Sequence, residues 1–106
     1  MAPTLEQLQA FLKTRPDDPF LKYAIAIELK NLGQTQQAEA AFAALATEHP
    51  QYVPTYYHWG QTLELLGRPE DGVATYERGI GIARQAGDSH AAEEMQRALM
   101  LLKDLL

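Results

Sequence analysis

The chain has no cysteine in its 106 residues, which excludes a disulfide framework, thiol catalysis and any cysteine-type zinc site. Basic residues are scarce: nine Lys and Arg stand against fourteen Asp and Glu, a net charge of −5. A nucleic-acid binder needs a basic stripe to displace counterions, and an anionic membrane surface asks for the same. Neither partner is expected. No apolar run approaches the roughly 20 residues that span a bilayer. The opening residues Met1 to Glu6 carry neither a basic stretch nor an apolar one. A secretory leader is therefore not expected, and a cytoplasmic location is the default expectation. No segment keeps up the period-2 alternation of a strand. What is present, 46% hydrophobic and 22% charged residues, is the composition of one small globular domain.

Catalytic signatures are missing too. There is no phosphate-cradling loop, no Gly-x-Ser-x-Gly, no dinucleotide fingerprint and no His-Glu-x-x-His. His49 precedes Pro50 and reads as a turn residue, and His90 reads as solvated near a helix start. His58 lies beside Tyr57, where it either hydrogen-bonds in a groove or simply packs. The pairs Glu70-Asp71 and Glu93-Glu94 are sequence neighbours, and adjacent helical side chains point about 100° apart. Neither pair makes a shared acid–base site. No enzyme activity, cofactor or metal site is expected.

The chain repeats itself at a spacing of 34. Gly33 falls on Gly67, Leu29 and Leu32 on Leu63 and Leu66, Tyr23 on Tyr57, Ala40 on Ala74, Phe42 on Tyr76, and small Ala38 on small Gly72. Turn chemistry predicts six helices. Thr4 with Gln7 forms a capping box, and Pro16 ends that helix by Arg15. Asp18-Pro19 reads as N-cap and first helical position, with Gly33 as C-cap. Thr35 can cap a third helix running to about Glu48, and Pro54 lies near the start of a fourth that ends at Gly67. Pro69 opens a fifth toward Gly87, and Asp88 or Ser89 caps a sixth.

These residues resemble the tetratricopeptide repeat family. That family asks for a bulky and then a small residue in helix A, Gly at the turn, small–aromatic–small in helix B, and Pro at the exit. Residues 19–52 supply Ile25, Ala26, Leu29, Gly33, Ala38, Phe42, Leu45 and Pro50; residues 53–86 supply Trp59, Gly60, Leu63, Gly67, Gly72, Tyr76 and Gly79. Leu45 is larger than the usual residue. Arg84 replaces the exit proline, so the fifth helix is expected to run about one turn longer. The resemblance implies one all-α domain over 1–106. It comprises a helix over 4–15, repeats over 19–52 and 53–86, and a capping helix over 88–106. Ile25, Leu29, Trp59 and Leu63 should be core. Three glycines fall in the fifth helix; Gly72 and Gly79 share a packing face, whereas Gly81 predicts either a soft helix or a neighbour packed on it.

The resemblance also implies a non-catalytic protein-interaction function. Helix A of each repeat lines a concave groove in this family. Its groove positions fall on Phe20, Tyr23, Ala24, Ile27, Lys30 and Asn31, then on Tyr57, His58, Gln61, Glu64 and Leu65. Tyr23 and Tyr57 would stand side by side. Such a groove suits a protein or peptide partner, and the acidic balance favours a basic or neutral one. The alternative is that Phe20, Tyr23 and Tyr57 merely pack. Repeats that clamp acidic chaperone tails use Lys and Asn where this chain has Tyr23, Ile27 and His58, which disfavours that subtype. In the last helix Ala91, Ala92, Met95, Leu99, Leu102 and Leu106 form a stripe, with Glu93, Arg97 and Asp104 facing away and Glu93 paired to Arg97. Met100 and Leu101 lie off the stripe. They favour a second reading, a self-associating structural module with a homo-oligomer contact there.

Overall fold

A computed structural model describes residues 2–106. Its six helices are α1 (Leu5–Thr14), α2 (Pro19–Asn31), α3 (Thr35–Glu48), α4 (Pro54–Leu65), α5 (Pro69–Gln85) and α6 (Ser89–Asp104). No strand occurs among the described residues. No helix among them is long and apolar enough to cross a membrane.

Local chemistry sets most of the boundaries. Thr4 and Gln7 complete a reciprocal capping box on α1. Asp18 accepts from the amides of Phe20 and Leu21 at 2.9 and 3.4 Å, and Asp88 accepts from Ala91 at 3.0 Å. Pro19, Pro54 and Pro69 each occupy a first helical turn, where the missing N–H leaves nothing unpaired. The expected cap at Thr35 is a correction: Thr35 is the first helical residue, Gln34 precedes it, and no side chain caps α3. Helices α2, α4 and α5 end alike. Gly33, Gly67 and Gly87 take φ of 78, 72 and 74°, and the next amide closes back five residues at 2.9 Å (Gln34 to Leu29, Arg68 to Leu63, Asp88 to Ala83). A side chain at those φ values would be strained. α5 has 17 residues against 14 in α3, the extra turn expected where Arg84 replaces proline.

Each helix packs on the next in chain order, and α4 also touches α2 and α6. The result is a stack extending 41 × 30 × 26 Å. Two apolar clusters hold it together. One centres on Phe42 with Ala26, Leu29 and Ala38; the other joins Ala46, Tyr56, Tyr76, Ile80 and Ala83 to Ala92, Met95, Leu99 and Leu102 of α6. Trp59 packs against both. It is only half-buried, as is Ile25, which corrects their expected core placement. The indole N–H of Trp59 needs a partner, and it donates to Glu39 Oε2 at 2.9 Å near the surface. Tyr56 is the core aromatic that the repeat alignment overlooked. It is fully buried, with its hydroxyl donating to the Pro50 carbonyl and Arg78 over its ring at 5.3 Å.

Other expectations change at the end of the stack. Leu106 lies beyond the α6 stripe and is exposed. Glu93 and Arg97 form no ion pair among the described residues; α6 is instead tied to α5 by Lys103 and Glu77 at 3.7 Å. A Cβ added at Gly81 would meet no neighbour within 4 Å among the described residues, and α5 runs through it without a break.

Candidate binding groove

Helices α2, α4 and α6 carry one continuous surface. Cavities open on it between Lys30, Gln61, Glu64 and Leu65, and between Tyr57, Gln61, Glu64, Glu94, Arg97 and Leu101. A third lies between Tyr23, Tyr57, His58, Asp88, His90 and Glu94. An aromatic row runs through them. Ring centroids are 5.9 Å apart for Tyr52–Tyr23, 5.6 Å for Tyr23–His58, 5.3 Å for His58–Tyr57 and 6.3 Å for Tyr57–Tyr76. These edge-on and tilted contacts are the geometry aromatic quadrupoles favour. His58 thus stands between Tyr23 and Tyr57, which were expected side by side.

Polar groups along the row are partly engaged already. Lys30 Nζ donates to Gln61 Oε1 at 2.8 Å across the α2–α4 seam, and burial lowers the ammonium pKa. The Tyr76 hydroxyl donates to Glu64 Oε2 at 2.6 Å. Burial first, then that carboxylate, pushes its pKa far above the usual tyrosine range. Glu64 therefore anchors a core tyrosine as well as lining the surface. His58 Nδ1 is shielded and has no hydrogen-bond partner among the described residues. Burial lowers the imidazole pKa, the Lys30 charge lowers it further, and Glu94 opposes both.

That shift makes stability pH-dependent. Below the ordinary value of 6.5, the unfolded imidazole binds a proton that the folded one refuses. The unfolded state then holds more protons, so stability rises with pH through this window and falls as pH drops through it. The urea midpoint is expected to fall between pH 7.5 and 5.5 by more in the wild type than in His58→Gln. Equal falls would mean that His58 is not the responsible group.

The structure brings Tyr23, Lys30, Tyr57, His58, Gln61, Glu64 and Leu65 onto this surface. Phe20 is 60% exposed and Asn31 is exposed, but neither lines these cavities. Ile27 is half-buried against the Phe42 cluster. Sequence reasoning missed the contribution of α6. Arg97, expected to face away, and Leu101, a possible oligomer contact under the second reading, both line the α4–α6 cavity. The 34-residue spacing carried no signal for it, because α5 is longer than α3 and shifts α6 out of that register.

No family model matches the chain, and no curated protein matches it. Solved structures do. A tetratricopeptide repeat domain protein from Salinibacter ruber, determined in solution, is 38% identical with a TM-score of 0.82, covering 86% of this chain and 92% of that one. A crystal structure of a tetratricopeptide repeat domain protein from the same organism gives 38% identity and a TM-score of 0.80, over 84% of this chain and 100% of that one. A protein from Bordetella parapertussis shares the fold at 24% identity, with a TM-score of 0.84 over 98% of this chain and 90% of that one. The glycine-ended helix pairs, the small residues facing core aromatics and these likenesses converge: the chain belongs to the tetratricopeptide repeat family.

Proposed function

We propose that the chain is a non-catalytic protein-interaction module, acting in the cytoplasm, whose α2–α4–α6 surface takes a peptide or helix. Its repeats are 19–52 and 53–86, with 4–15 before them and 88–106 closing the groove. The supporting observation is the aromatic row through Tyr23, His58 and Tyr57, half-buried and open to the cavities. Rigid aromatics offer contact area at low entropic cost, as binding hot spots do. Affinity capture from lysate of the source organism tests this. Wild-type protein is expected to retain a partner that a folded Tyr23→Ala, Tyr57→Ala double variant loses. Equal retention by both would sink the groove.

One observation favours a second reading, self-association. Met100, Leu101, Leu105 and Leu106 are 59, 68, 80 and 62% exposed on the last helix and just after it, and exposed apolar groups that join into one patch mark interaction sites. Native mass spectrometry of the wild type and of Met100→Ser, Leu101→Ser distinguishes the two. A dimer lost only in the second protein supports the homo-oligomer.

A further inference from the structure

The cavity where α2, α4 and α6 meet is lined by two carboxylates, Asp88 and Glu94, and by no Lys or Arg among the described residues. Tyr23, Tyr57 and His58 form its aromatic walls, and Asp88, His90 and Glu94 come from the start of α6. Its volume is about 190 Å³, below the roughly 300–1,000 Å³ of small-molecule sites and suited to one side chain. The Glu94 carboxylate has no ion pair or hydrogen bond among the described residues. Asp88 uses Oδ1 to cap α6. Two cations line the neighbouring cavities, Lys30, bonded to Gln61, and Arg97, one turn along α6 from Glu94, but neither lines this one. The net charge of −5 draws cationic partners from a distance.

We propose that this cavity receives a basic side chain, arginine above all, from the partner peptide. The guanidinium lies against the tyrosine faces and pairs with Glu94. Arginine fits better than lysine because its planar fork stacks on aromatic rings and meets a carboxylate through two parallel bonds. A neutral side chain would leave Glu94 unpaired in a half-buried site. The proposal rests on the groove reading and adds the chemistry of one anchor residue to it.

Selection of random displayed peptides on the wild type and on Glu94→Lys tests it. Wild-type binders are expected to share a basic residue, and Glu94→Lys is expected to abolish that preference or turn it to Asp and Glu. In fluorescence anisotropy, Glu94→Gln should weaken a selected peptide by roughly tenfold or more, the scale of a charge-assisted hydrogen bond, as should changing its basic residue to Gln. Binders that need Tyr23 and Tyr57, lack any basic residue and are indifferent to Glu94→Lys would overturn the cation site and leave the groove standing. Failure to select any peptide would overturn both.

Discussion

Gly79→Ala destabilises the protein by about 2 kcal/mol, whereas Gly81→Ala on the same helix stabilises it by about 1 kcal/mol. The chemical change is identical, so the sign comes from what each Cβ meets. At Gly79 the new atom runs into Tyr56 Cβ, lies 2.6 Å from Met95 Sδ and is 3.1 Å from Tyr56 Cγ. Met95 is buried, and Tyr56 Cβ sits beside the backbone of α4, so α4 and α5 must separate. The gain in helix propensity offsets only part of that. At Gly81 nothing lies within 4 Å, and only the entropic benefit of alanine remains. Gly60→Ala behaves like Gly79→Ala. Its Cβ falls on the Tyr76 ring, 2.6 Å from Cζ and 2.7 Å from Cδ1, and that ring is pinned by its bond to Glu64. Thermal melting separates the variants, since about 1 kcal/mol moves the midpoint of a domain this size by roughly 4–8 °C. A Gly79→Ala midpoint at or above the wild-type value would mean that the helices are not in close contact there.

Phe42→Ala costs about 3–5 kcal/mol, a large fraction of the roughly 5–15 kcal/mol a small domain possesses. Phe42 is fully buried against Ala26, Leu29 and Ala38. Alanines on two rigid helices cannot reach into the vacated space, which places the loss toward the upper end. The effect should also be local. The Phe42 cluster draws on α2 and α3, with Leu5 of α1 packed against it, and α1 contacts no helix but α2. The larger cluster rests mainly on α4, α5 and α6, with Ala46 from α3. In a stack where each element contacts its neighbours, such losses uncouple one end from the other. Hydrogen exchange of the variant should show α1–α3 opening first while α4–α6 keep their protection. Uniform loss along the chain would show that the two clusters fold as one unit.

Much of the fold was legible because its signals are local. Thr4, Asp18, Gly33, Gly67 and the helix-opening prolines act through their own backbone and a few neighbours, so their roles survive any tertiary arrangement. The exceptions were equally local in appearance: Thr35 is a good cap by type, yet the chain enters α3 one residue earlier. The groove was legible in part. Tyr23, Lys30, His58 and Gln61 follow a helical face that repeats at 34, whereas α6 departs from that spacing because α5 is longer by a turn.

From sequence alone, the helix boundaries, the left-handed turns and the pairing of small with aromatic positions follow, because propensity, capping and periodicity need no partner from elsewhere in the chain. Tertiary structure alone decided that His58 separates Tyr23 from Tyr57, that Tyr56 is core while Trp59 is half-open, and that α6 lines the same cavities as α4. Those outcomes depend on which helix lies opposite, at what rotation, and on which polar atoms must find a partner once water is excluded.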